Sequence, residues 1–505
     1  MATPVTDVTR QLTAARLPVH ARCSSHPEMR KILRQLKSGN SVILPVFCLL
    51  ASAAVAGGQT PDARDYRPLA REIFQELVEI KSTESGVGST PAAEAMARRL
   101  LAAGFPATDV LVIGPNERKK NLVARLHGKG NGKPVLLLAH LDVVEAKRED
   151  WSPDIDPFRL VERDGYFYGR GTQDIKDCVA FLVTNFIRWK QEGWVPSRDL
   201  ILALTADEEG AAVDNGIRWL LQNHRELIDA EYSLNADAGD FQSKNGRPYI
   251  VPLAAAEKKA TFVQLQTTNR GGHGGLPRKD NAIFELTAAL QRLANFQFPV
   301  MVNDITRSQF AAMSKLESGQ VAADMHAVGH NRPGDAAIRR LSENPYYNAL
   351  LRTTCVATML EGGHAPNALP QRAKAVLNCR ILPGHSSAKV LQTLENVVND
   401  KQVEVRWQFV EDTDWPASQL RPDVLAALAK VAQQLWPGVV VMPDMETGAS
   451  DCRFLRGAGI PSFGASGVFI DVDDVREHGR DERIRVRDFF GGLEFYDQFA
   501  KTLVK

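Results

Sequence analysis

The segment Val135-Leu-Leu-Leu-Ala-His140-Leu-Asp142 decides the architecture. Five consecutive apolar residues without polar alternation describe a strand buried on both faces, and such strands belong to parallel sheets covered by helices. The run then stops at an imidazole and a carboxylate. Leu200-Ile-Leu-Ala-Leu204 repeats the pattern and leads to Asp207-Glu208-Glu209-Gly210, and Tyr232-Ser-Leu234 leads to Asp237. Helical stretches, Val179 to Gln191 and Gly216 to Asn223, separate the runs. Strand and helix alternation predicts an α/β fold: a mixed, mainly parallel sheet with helices on both faces. In such sheets ligands bind beyond the carboxyl ends of the strands, so three strands deliver polar ends to one edge.

Outward from this core, Tyr66 opens a helix with Leu69, Ile73, Phe74, Leu77 and Ile80 on one face, and Pro91 to Leu101 opens a second. Beyond Glu257 the rhythm changes. Ala260 to Thr268, Thr353 to Leu360, Ala373 to Leu382 and Val403 to Phe409 read as strands, with helices at Asn281 to Leu293 and Ser387 to Val398. That β-α-β-β-α-β order predicts an inserted α+β, ferredoxin-like domain. The stretch from about Phe298 to Leu351 mixes helical segments with Gly and Pro and reads as an extension of this insert. Pro422 to Leu435 and Ile460 to Phe463 return to the first domain. The expected boundaries are 57–257 and 414–505 for the two parts of the main domain and 258–413 for the insert.

The first 56 residues stand apart. Met29-Arg-Lys-Ile-Leu-Arg-Gln-Leu-Lys supplies a basic region, Ser41 to Leu50 an apolar stretch, and Ala54-Val55-Ala56 a small-x-small cleavage site, the layout of a secretory signal peptide whose start is Met29. The apolar stretch is short and holds Pro45, so no stable membrane span is expected after cleavage, and the mature protein is expected to be periplasmic or secreted. Removing residues 1–56 leaves 54 basic against 58 acidic residues, a net of −4, with no basic stripe to bind nucleic acid. Cys178, Cys355, Cys379 and Cys452 remain. Cys355 and Cys379 lie on apparently neighbouring strands, yet buried free thiols are the expected state.

His140, Asp174, Glu208, Glu209, Asp237 and His478 together read as a two-metal hydrolase. Two imidazoles and three carboxylates suit a pair of Zn²⁺ ions sharing one carboxylate, with an extra glutamate as proton carrier; Co²⁺ or Mn²⁺ would also fit oxygen and nitrogen ligands. In His140-Leu-Asp142 the period of two puts Asp142 beside the imidazole, where its carboxylate can hold the ring N–H. In Gly169-Arg-Gly171-Thr-Gln-Asp174 the glycines permit a tight bend that thrusts Asp174 between two metals. Adjacent side chains diverge, so Glu209 binds metal while Glu208 faces the attacking water. His478 is the last histidine of the chain, and Glu482 after it reads as a surface acid or as its partner.

The ordered set H-x-D, G-R-G-x-x-D-x-K, D-E-E-G, Asp237, Gly271-Gly-His273-Gly274, Asn367-x-x-Pro370, Asn378-x-Arg380 and His478-Gly479 resembles the M20 family of zinc metallopeptidases, from Tyr66 to the C-terminus. The resemblance implies one metal on His140, Asp174 and Asp237, the other on Asp174, Glu209 and His478, and Glu208 as general base. It implies that the insert is a lid, that His273 steadies the oxyanion, often from the partner subunit of a dimer, and that Arg380 and Asn367 hold a substrate carboxylate. Thr447-Gly448-Ala-Ser-Asp451 resembles the loop lining the substrate pocket. Asp177 replaces a usual glycine, and Asp237 is a shorter ligand than glutamate. The implied substrate is a small peptide or an N-acyl amino acid, cleaved next to a free carboxylate. An aminopeptidase on the same core and a catalytically silent binding protein are the rival readings. Whether a homodimer forms through the lid or a monomer closes on itself stays open.

Overall fold

The computed structural model describes residues 64–210, 214–410 and 415–505. The signal peptide, its start at Met29 and the 413/414 boundary lie outside the described residues.

Val135–His140 forms the middle of a ten-stranded sheet, between Leu200–Thr205 and Tyr232–Asn235, and it is parallel to both. All three strands therefore end at the same edge. Leu137 and Ala139 point into the larger core, under the helices Lys176–Glu192 and Val486–Leu503, while Leu136 and Leu138 pack with Ile217 and Leu220 of Gly216–Asn223. Both faces are dry, which is why the run carries no alternation. Asn121–Leu126 and Val110–Ile113 extend one side with antiparallel pairing. Ser462–Gly464, Arg247–Glu257, Phe241–Lys244 and Phe469–Asp471 extend the other, and Val440–Glu446 runs parallel to Arg247–Glu257.

The chain leaves this sheet at Glu257 and enters a second one at Lys259. There Thr354–Gly362, Arg372–Ile381, Lys259–Thr268 and Val403–Phe409 lie side by side in that order, all antiparallel. Ala282–Ala294 and Ser387–Val398 cover one face, with Val263, Leu286, Leu377 and Leu394 in a core of their own. This is the ferredoxin-like arrangement read from the strand order.

Two expectations need correction. Cys355 and Cys379 are not free thiols: they sit directly opposite each other on antiparallel strands, Cα atoms 4.0 Å apart, and form a disulfide. The stretch 298–351 does not extend the lid core. Its helices Asp304–Met313, Gly319–Gly329, Asp335–Ser342 and Pro345–Leu351 bring Ile305, Phe310, Met325 and Leu350 into the core of the large sheet. Gln309 joins them to Val440–Glu446, accepting from the Met445 N–H at 3.2 Å and donating to Asp444. The physical reason is exposure: Val440–Glu446 lies outside the main strand path, and these helices keep Met442 and Met445 dry.

Candidate metal centre

His140 is the last residue of its strand, and its orientation comes from the backbone. Nδ1 lies 3.0 Å from the Asp142 carbonyl oxygen, which turns Nε2 towards Asp174 Oδ1 at 3.1 Å and Asp237 Oδ1 at 3.4 Å. The expected carboxylate contact is not made, since Asp142 Oδ1 stands 3.9 Å from Nδ1. Instead the Asp142 carboxylate accepts the N–H groups of Glu208 and Glu209, at 3.1 and 3.0 Å, and so shapes the acidic turn after the neighbouring strand. Burial pushes the Asp142 carboxyl up to about 6, against the pull of His140.

Asp174 precedes Lys176–Glu192 in a turn that needs Gly171: its φ is +84°, and a Cβ there would meet Val143 and Lys176 at 2.8 and 2.9 Å. The same turn is clamped to the loop carrying His478. Arg170 forms an ion pair with Glu482, both fully buried, and donates to the carbonyls of His478 and Gly479 at 3.1 and 3.2 Å. Glu482 in turn accepts from the Gln173 and Asp174 N–H groups at 2.8 and 3.2 Å. Neither a surface acid nor a direct partner of the His478 ring, Glu482 holds together two candidate ligands some 300 residues apart in sequence.

The outcome is a division of Asp174 between two imidazoles. Oδ1 faces His140 and Asp237, while Oδ2 lies 2.8 Å from His478 Nε2, which also meets Glu209 Oε1 at 2.9 Å. Burial would lower the affinity of His140 for protons, but Asp237 and Asp174 outweigh it and raise His140 well above the usual range. Hydrogen bonding to the Asp174 and Glu209 carboxylates raises His478 to about 10. Burial raises Asp237 well above an ordinary carboxyl and Glu209 to about 7. Three carboxylates thus crowd around two rings. Ligands about 2.1 Å from a tetrahedral ion are about 3.4 Å apart, close to the separations seen here, so the donor set fits two cations bridged by Asp174. The ligand atoms of His140, Glu208 and Asp237 also lie within 4.8 Å of one another. That places Glu208 beside the first ligand group.

Glu208 has a partner that sequence reasoning missed. Arg453, from the helix Cys452–Gly457, donates to Glu208 Oε1 at 2.9 Å, and both side chains are largely buried. Asp451, two residues before it, accepts from Thr205 Oγ1 and Asn215 Nδ2, both at 2.7 Å, and thereby anchors the 447–451 loop to the end of the strand that leads to Glu208. The only signal in sequence was that Arg453 follows this loop.

A cavity of about 440 Å³ opens over these residues, and Arg380 and Gly448 line it together with Asp174, Glu208, Glu209, Asp237 and His478. His273 and Asn367 do not join it. His273 is exposed on a two-stranded ribbon, Gly272–His273 against Ala368–Leu369, and Asn367, also exposed, precedes the second strand, its carbonyl accepting the Gly274 N–H at 2.7 Å.

Comparison with known proteins agrees with this architecture. The chain is 28% identical over 385 residues to the N-fatty-acyl-amino acid synthase/hydrolase PM20D1 of Homo sapiens, covering 72% of each chain. It is 27% identical over 391 residues to the probable carboxypeptidase S-like 2 of Dictyostelium discoideum, covering 74% of this chain and 72% of that one. Among solved structures it is similar to the M20 family metallo-carboxypeptidase Sso-CP2 of Sulfolobus solfataricus, with a TM-score of 0.64 at 16% identity over 86% of this chain and 99% of that one. Human carnosine dipeptidase 1 gives a TM-score of 0.61 at 15% identity, over 87% and 97%. Residues 136–502 match the model of peptidase family M20/M25/M40. The chain therefore belongs to this family and is a hydrolase.

Proposed function

We propose that this protein is an exported di-zinc hydrolase that cleaves a peptide or N-acyl amide bond adjacent to a free carboxylate. The observation that carries the reading is the split of Asp174, one oxygen towards His140 and Asp237, the other towards His478 and Glu209. His140, Asp174 and Asp237 would hold one metal, and Asp174, Glu209 and His478 the other. Bound cations would polarise the scissile carbonyl and make a water acidic enough to lose its proton near neutral pH. Glu208 takes that proton and returns it to the leaving nitrogen, with Arg453 holding the carboxylate in place. Arg380, on the same cavity wall, offers paired donors to the substrate carboxylate.

His273 and Asn367 would reach the substrate from a second copy of the chain. Supporting this, the lid edge strand Thr354–Gly362 exposes Val356, Met359 and Leu360, each more than 60% accessible, with Phe284 of the adjoining helix. Export is supported by the leader-like composition of residues 29–56 and by the Cys355–Cys379 disulfide, since such bonds persist in oxidising compartments.

A second reading, recognition of a free amine, is favoured by Asp240, Glu446 and Glu477, which also line the cavity. The zinc-loaded mature protein should be assayed against dipeptides, their C-terminal amides and N-acyl amino acids. Carboxylate recognition predicts that amidation abolishes turnover of dipeptides. Undiminished turnover of the amides would replace it with amine recognition.

A further inference from the structure

We propose that the lid carries a second binding site, for an unbranched fatty acid, between the helix Ala282–Ala294 and the segment 345–357. A cavity of about 750 Å³ lies there, within the range of small-molecule sites. Leu290, Leu293, Phe296, Phe298, Leu377 and Leu394 supply apolar walls, and none of the cavity's lining residues belongs to the metal-centred cavity.

Its polar end is a single cation. Among the described residues Arg352 is the one charged residue on this wall and is only 6% exposed; Asp335 and Glu343 line a neighbouring opening that it shares, but it forms no ion pair with either. Nη1 donates to Gln297 Oε1 at 2.6 Å and Nη2 to Ser342 Oγ at 2.9 Å, both neutral acceptors, while Nε has no partner. Three of the five guanidinium hydrogens are therefore unspent. A buried lysine stands behind the wall. Lys258, fully buried, donates to the carbonyls of Ala349 and Arg352, each at 2.9 Å, and to Thr354 Oγ1 at 3.2 Å, again without a carboxylate. Buried cations without a counter-charge are costly, and burial accordingly lowers the proton affinity of Arg352. A carboxylate would supply the missing charge and accept the spare hydrogens. An alkyl tail would cover the leucine and phenylalanine surface.

The test is calorimetric titration of the full chain with dodecanoate, N-dodecanoylglycine and dodecanol. We expect dodecanoate to bind at one site that survives metal removal, at least tenfold tighter than dodecanol and tighter than N-dodecanoylglycine. Arg352→Gln should weaken dodecanoate at least tenfold, and Ala357→Trp, which fills the cavity without touching the cation, should do the same with zinc content unchanged. Tighter binding of N-dodecanoylglycine through the same residues would make the occupant an acylated amino acid instead. Dodecanoate binding that is equal in Ala357→Trp, matched by dodecanol, or lost with the metal would overturn the site. None of these outcomes depends on which amide the metal centre cleaves.

Discussion

Asp174 and Asp142 show how little of a side chain's task is visible in its type. Both are aspartates at the edge that carries the candidate ligands, yet Asp174 divides its oxygens between two imidazoles and Asp142 spends both of its own on backbone N–H groups. Removing Asp174 should therefore empty both metal sites, whereas His478→Ala should leave one ion per chain; metal analysis after dialysis checks the ratio. Glu208→Ala should keep both metals and lose about 10²-fold or more in kcat, measured on the substrate found by the screen. If that variant keeps parental turnover, the general base lies elsewhere. The candidate ligands were legible because each ends an apolar run or a glycine turn. Arg453 and the Arg170–Glu482 pair were not, since their partners lie some 250 to 310 residues away and only the folded chain brings them into contact.

At the scale of elements, the strands declared themselves by dryness. Val135–His140 and Leu200–Thr205 are buried at every position, so their composition alone separates them from the lid strand Lys259–Thr268, whose burial alternates. Pairing between elements was less readable. Cys355 and Cys379 occupy facing positions only because Thr354–Gly362 and Arg372–Ile381 pair in one register, and a shift of one residue would turn them to opposite faces. Closing a loop over a separation of 24 residues restricts the unfolded chain, so Cys355→Ser should cost about 3 kcal/mol, seen as a lower denaturation midpoint that reducing agent imposes on the parent as well. The helices of 304–351 were recognisable as helices, but their docking on Val440–Glu446 depends on which edge of the large sheet lacks cover.

The whole molecule turns on Glu257-Lys258-Lys259, where the chain passes from one sheet to the other. Burial, with Arg380 adding to it, lowers Lys258 from 10.5 to about 7. Between these values the unfolded chain holds a proton that the folded chain has released, so stability rises with pH across this window, by an amount on the order of a few kcal/mol. Below about 7 both states are protonated and the cost of burial is felt in full. Urea denaturation at several pH values from 7 to 10 should show this slope in the parent and a flatter one in Lys258→Met. Assembly gives a second prediction at this scale. Leu360→Asp should shift the sedimenting species towards monomer and lower activity together with it, and His273→Ala should lower activity without altering assembly; a fully active monomer would exclude a contribution from a second copy. By itself the sequence determined the α/β core and the inserted domain and pointed to the residue types of the candidate metal centre, because hydrophobic period and strand-end position are local properties of the chain. Only the tertiary structure decided which atoms meet: the Asp174 split, the clamp from Arg170 to Glu482, the disulfide and the exposed position of His273. Those contacts join segments remote in sequence, and their geometry follows from how whole elements pack.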